Sequence, residues 1–170
     1  MSRFTVVIAD NRYSAYDEEK AVLSEVDAAV KVFSSSSASE ARQAFAEADG
    51  ILVNLFPMTA DIIESLPKCR VISRYGVGYD NVAVDAATRR GIWVTFVPDY
   101  CFEEVADHAL ALLLCCIRKV GYKDRMIRQG KWNLHRDQPC YRVEGKTLGY
   151  QGAVITARQS RACLAARSAA

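Results

Sequence analysis

The sequence predicts an α/β fold: an open parallel sheet with helices on both faces. Three observations carry this. Short β-branched runs recur through the first hundred residues. A segment with helical spacing separates each run from the next. These segments open on acids or cap residues, or stop at Gly or Pro. Strands that alternate with helices in this way build βαβ units, and such units make parallel sheets with both faces covered.

The first run is "RFTVVIAD" (Arg3–Asp10), a buried strand that ends in a polar turn. "YDEEKAVLSEV" follows as a helix, with Ala21, Val22, Leu23 and Val26 at helical spacing and acids in its first turn. "AAVKVFS" is the second strand. "SASEARQAFAEA" opens with a capping box, Ser37 as cap and Glu40 three residues on. "GILVNLF" (Gly50–Phe56) is the third strand, and "TADIIESLP" a short helix stopped by Pro67. "CRVISRY" is the fourth strand. "VDAATRRG" is a short helix ended by Gly91, and "IWVTFV" is the fifth strand.

After Pro98 the texture changes. Val105, Ala109, Leu112, Leu113, Cys116 and Ile117 repeat with helical spacing. The face is so broadly apolar that a helix wedged between two layers is expected. "YKDRMIRQGKW" reads as a second, amphipathic helix stopped at Gly130, "NLHRDQPCYRVEG" as loop, and "KTLGYQG" as the start of another strand. The last 18 residues, "AVITARQSRACLAARSAA", carry no acid, aromatic or glycine and no clear apolar stripe.

Composition bounds the function. The chain has 170 residues, 51% of them hydrophobic and 25% charged, which is ordinary for a globular protein. A net charge of +2 is too small to suggest nucleic acid or an anionic membrane as partner. The longest apolar stretch, Ala109–Ile117, is far short of the roughly 20 residues of a spanning helix. Six cysteines occur without a C-x-x-C pair, which reads as reduced, cytoplasmic usage.

Few residues suggest chemistry. Gly76 and Gly78 follow the fourth strand, beside Arg74, Tyr75 and Asp80. Such glycines either make a plain tight turn or open a nest of backbone amides to an anion. His108, inside the apolar helix, reads first as a hydrogen-bonded core residue and only second as a base. His135 has no Cys or His near it in sequence, so no metal site is expected. Glu103, Glu104 and Asp107 suit the N-terminus of the long helix.

"ISRYGVGYDNVAVDAATRRGIWVTFVPDYCFEEVADHALALLL", "IRQGKW" and "GKTLG", in this order, resemble the D-isomer-specific 2-hydroxyacid dehydrogenases. That family includes phosphoglycerate dehydrogenase, glyoxylate and hydroxypyruvate reductases, and the dehydrogenase-like C-terminal binding proteins. The resemblance is strong from Cys69 to Gly149. It implies a flavodoxin-like substrate (cap) domain over residues 1–100, connector helices and loop over 101–144, and the start of an incomplete Rossmann domain over 145–170. It implies a small 2-oxo or 2-hydroxy acid as substrate, met by Arg74, Tyr75, Gly76, Val77 and Gly78, with the Val77 and Gly78 amides cradling its carboxylate. Asp80 and Asn81 are then expected to hold that loop. Tyr100 and Val105 are expected near a nicotinamide, and Gly149 and Gly152 at the cofactor's pyrophosphate. The cofactor would be NAD or NADP.

The resemblance also has gaps. The Gly-x-Gly-x-x-Gly loop breaks after Gly152, and the family's catalytic Arg, Glu and His have no counterpart in these residues. The expectation is therefore an N-terminal fragment that neither binds cofactor nor turns over. With GC-rich codons assumed, restoring one lost base after the Gly152 codon regenerates the glycine pattern, so the tail is expected to be frameshifted. The alternative is a non-enzymatic co-repressor or peptide-binding module like the C-terminal binding proteins. Self-association or aggregation is expected through the apolar connector helix.

Overall fold

The computed structural model describes residues 2–9, 12–132 and 139–149. Asp10, His135, Gly152 and the tail lie outside these, and so do the expectations placed on them. The chain divides after Tyr100 into two compact units.

The first unit is a five-stranded parallel sheet in the order β2-β1-β3-β4-β5. The strands are β1 (Phe4–Ala9), β2 (Ala28–Phe33), β3 (Gly50–Val53), β4 (Val71–Arg74) and β5 (Trp93–Thr95). The helices between them are α1 (Asp17–Ser24), α2 (Ala38–Phe45), α3 (Ala60–Glu64) and α4 (Val84–Arg89). This order is the flavodoxin-like doubly wound arrangement, which reverses direction between β1 and β3. Right-handed crossovers then put α1 on one face and α2, α3 and α4 on the other.

Register explains the core. Val7 pairs with Ile51, Ile51 with Ile72 and Ile72 with Val94 across neighbouring strands. Side chains alternate along a strand, so this row faces one side of the sheet. It packs with Ala41 and Phe45 of α2, Ile62 and Ile63 of α3, and Ala86 and Ala87 of α4 in one cluster. Phe33, Phe45 and Phe56 meet edge to face, with ring centroids 5.1 to 5.7 Å apart. That geometry suits the ring quadrupoles.

The opposite row is Val6, Gly50, Val71 and Trp93. Its cover fades along the row: Val6 is 8% exposed and Trp93 76%. Among the described helices of the first unit, α1 alone lies over this face, at the β2 end. The apolar residues of α1, which the sequence places at helical spacing, gain little cover. None of its residues is buried, and Val22 is exposed. Both faces do carry helices, but unequally.

Local signals behave as their chemistry requires. Ser37 caps α2, its hydroxyl accepting from the Glu40 amide at 3.4 Å. The reciprocal half of the expected box is supplied differently, since the Ser37 amide donates to Ser35 Oγ at 3.1 Å. Gly91 ends α4 at φ +67° and Gly130 follows the helix Val120–Arg128 at φ +73°, both in the left-handed region open to glycine.

In the second unit α5 (Phe102–Ile117) is followed by α6 (Val120–Arg128), with Lys119 in the left-handed region between them. The sequence led us to expect α5 to be wedged between two layers. Among the described residues its one buried position is Ala106, and Leu112 is 54% exposed. His108 is exposed as well, which overturns its reading as a core histidine.

Candidate functional site

The loop after β4 is the best-built feature of the first unit, and it is braced from three sides. Toward β3, the Tyr75 amide donates to the Val53 carbonyl at 2.8 Å. Asn81 reaches the same way, its Nδ2 donating to the carbonyls of Asn54 at 3.0 Å and Phe56 at 2.9 Å. One amide side chain so ties the loop after β3 to the loop after β4. The Met58 amide completes the tie, donating to the Asn81 carbonyl at 2.8 Å.

Toward β5, the Val97 amide donates to the Gly76 carbonyl at 3.1 Å. The rings of Tyr79 and Phe96 lie 5.2 Å apart. Toward α1, the Tyr75 hydroxyl donates to Glu19 Oε1 at 2.9 Å. Tyr13 lies over the Tyr75 ring at 5.9 Å. Burial, then the Glu19 hydrogen bond, push the Tyr75 phenol far above its usual range, so it stays protonated and donating.

The two glycines differ. Gly76 is buried with φ +134°, a conformation closed to side chains. A Cβ there would also run into Arg74 Nη1 and lie 3.3 Å from the Tyr100 hydroxyl. Gly78 is exposed and under no such constraint. Its nearest neighbour to an added Cβ is Asp80 Oδ2 at 3.6 Å, an ordinary contact. The fold requires glycine at 76 and merely permits it at 78.

Among the described residues the amides of Val77 and Gly78 donate to no acceptor, and both residues are exposed. Behind them Arg74 Nη1 donates to the Tyr75 carbonyl at 2.7 Å, and its Nε is buried with no partner among the described residues. The loop therefore offers two free amides at the carboxyl end of a parallel strand, with a guanidinium at its back. That is where ligands of open α/β sheets bind, and it is an arrangement an anion satisfies.

Arg74, Tyr75, Gly76, Val77 and Gly78 are thus brought together in one loop, with Tyr100 beside it. Val105 lies exposed in the first turn of α5, in the second unit. Gly149 lies in that unit too, in open surroundings. Asn81 holds the loop as expected, whereas the Asp80 side chain makes no hydrogen bond among the described residues. Sequence reasoning missed the segment Asn54–Phe56. Asn54 is the one buried polar residue in the described core, and that signal exists only after folding.

The family model for the D-isomer specific 2-hydroxyacid dehydrogenase catalytic domain matches residues 6–169. A glyoxylate reductase of Korarchaeum cryptofilum is 43% identical over 99 residues, covering 56% of this chain and 30% of its own. A D-3-phosphoglycerate dehydrogenase of Mycobacterium tuberculosis is 38% identical over 107 residues, covering 62% of this chain and 20% of its own. Among solved structures, a glyoxylate reductase from Paecilomyes thermophila superimposes with TM-score 0.82 at 25% identity, over 98% of this chain and 53% of its own. An NADPH-dependent glyoxylate/hydroxypyruvate reductase from Sinorhizobium meliloti, in complex with NADP and malonate, gives TM-score 0.77 at 27% identity, over 98% of this chain and 51% of its own. The chain spans about half of these solved relatives and less than a third of the curated ones. On the sheet order, the glycine loop and these matches together, the chain belongs to the D-isomer-specific 2-hydroxyacid dehydrogenase family.

Proposed function

We propose that this chain is the substrate-binding part of an NAD(P)-dependent D-2-hydroxyacid dehydrogenase, and that Arg74–Gly78 hold the carboxylate of a small 2-oxo acid of the glyoxylate class. The observation that carries the reading is the pair of unengaged amides at Val77 and Gly78. Arg74 supplies a positive charge behind them, and charge-assisted hydrogen bonds to a carboxylate are roughly twice as strong as neutral ones. Tyr100 stands at the edge of the loop, where a hydride donor would approach a bound substrate. Relatives named for glyoxylate reduction, and one solved with malonate, support the substrate class.

The cofactor, NAD or NADP, supplies the hydride when bound. In the sequence, the Gly-x-Gly-x-x-Gly pattern that would hold its pyrophosphate breaks after Gly152. We therefore assign this chain substrate binding without turnover. Mixed with NADH or NADPH and glyoxylate, hydroxypyruvate or pyruvate, it is expected to show no reduction above background. Clear turnover would overturn that assignment. The exposed apolar residues of α5 support self-association of the chain, and a monodisperse monomer in light scattering would count against it.

Gly78→Ala isolates the loop chemistry. The added methyl meets ordinary contacts, so stability is expected to change by less than about 0.5 kcal/mol. The methyl narrows the approach to the two amides, so glyoxylate binding is expected to weaken at least about fivefold, on the scale of one lost hydrogen bond. Isothermal titration beside a urea melt reads both. Unchanged glyoxylate affinity in a well-folded Gly78→Ala protein would remove the loop from the site.

A further inference from the structure

A second feature lies on the same edge of the sheet, away from the glycine loop. Between the carboxyl ends of β1, β2 and β3 there is a crevice of about 410 Å³. It sits where the strand order reverses, because β1 lies between β2 and β3. Crossovers on either side of that point leave in opposite directions and open a gap, which is why doubly wound sheets bind ligands there.

The lining is two-sided in chemistry. Phe33 and Phe56 form an aromatic wall, their rings edge to face at 5.6 Å. Ser34, Ser35 and Ser36 form a run of hydroxyls on the β2 side. Ser35 Oγ already accepts from the Ser37 amide, so its own proton is left to donate elsewhere. Arg12 is the only charged side chain among the described lining residues. Hydroxyl donors beside a guanidinium, with no carboxylate among the described lining residues, match an oxyanion.

We propose that this crevice is a binding site for the phosphate or carboxylate group of a small organic anion, whose apolar body lies against Phe33 and Phe56. Arg12 and the serine hydroxyls hold the charged end. The site stands apart from the carboxylate loop, with β3 between them, and it does not depend on that loop's assignment. The anionic group comes either from the far end of the substrate or from a separate ligand.

The test is an amide-resolved NMR titration of the whole chain at fixed ionic strength, with inorganic phosphate as first probe. Saturable shifts are expected at Arg12 and Ser34–Ser36. Arg12→Gln, at an exposed position, is expected to weaken phosphate binding at least fivefold, and Ser36→Ala to weaken it less. Glyoxylate, titrated in parallel, reports on Val77 and Gly78, so failure of one site is distinguishable from failure of the other. A phosphorylated 2-hydroxy acid then separates the sources. If it moves both sets of amides with one midpoint, the substrate supplies the group; if it moves the crevice set alone, a separate ligand does. Either result supports the site. Shifts that never saturate, that scatter over every Arg and Lys, or that survive Arg12→Gln unchanged would overturn it.

Discussion

Helices α3 and α5 received opposite treatment from the fold. The first is five residues long and buries Ile62 and Ile63 almost completely. The second is 16 residues long, far richer in Leu and Ala, and buries only Ala106 among the described residues. Hydrophobicity alone would order them the other way. What separates them is position. α3 crosses a sheet whose facing row, Val7, Ile51 and Ile72, is itself apolar, so both surfaces leave water together. α5 has α6 as its neighbour, and α6 buries none of its own residues. The driving force scales with the apolar area removed from water, and a helix that meets little apolar surface removes little.

This contrast is broken or sharpened by substitution. The largest effect is expected from Phe45→Ala, which empties the centre of the aromatic trio. A fully buried Phe cut to Ala costs about 3–5 kcal/mol, read as a shift in the urea midpoint. A loss below about 1 kcal/mol would mean that this side of the sheet is less closed than its geometry shows.

Asn81→Ala comes next. It leaves the Asn54 and Phe56 carbonyls without their donor, at a cost of about 1–3 kcal/mol. Because Asn81 joins two loops, the hydrogen-bonded amides of Met58 and Tyr75 are also expected to exchange faster with solvent.

A pH effect is smaller and has a definite sign. Burial, with Asp49 adding to it, pushes the Cys69 thiol from 9.0 to about 11. Between those values the folded thiol keeps a proton that the unfolded one has lost. Stability from this group is full below about pH 9 and is lost as pH rises through about 11. Tyr75 acts in the same direction at higher pH, so the difference between the chain and Cys69→Ala isolates the thiol. The variant is expected to show a shallower decline across that window, and an unchanged slope would remove Cys69 as the cause.

The smallest effect belongs to α5. Leu112→Ala exchanges an exposed side chain for the best helix former, and stability is expected to move by less than about 0.5 kcal/mol. A loss of 2 kcal/mol or more would show that this surface is covered in solution.

Much of this was legible in the chain. The five strands were readable because β-branched runs and helical runs have different periods, and each period is a local property. The stops at Gly91 and Gly130 were readable because few residues other than glycine adopt the left-handed region. The glycine loop was readable as a candidate, and its resemblance to known dehydrogenases suggested the ligand proposed for it. The burial of α1, α5 and His108 was not readable. A pattern shows which face would go inward but not whether anything lies opposite.

The sequence by itself determined the elements, their order and the two glycines at the end of β4. Tertiary structure alone decided which glycine the fold needs. It set Gly76 against Arg74 and the Tyr100 hydroxyl, and it left Gly78 open. It also brought Glu19 to Tyr75 across 56 residues, and Asn81 to Asn54 across 27. Parallel strands pair only through long crossovers, so such contacts exist only once the sheet has formed. Propensity acts over a few residues, and the glycine loop is held by groups that only the finished sheet makes neighbours.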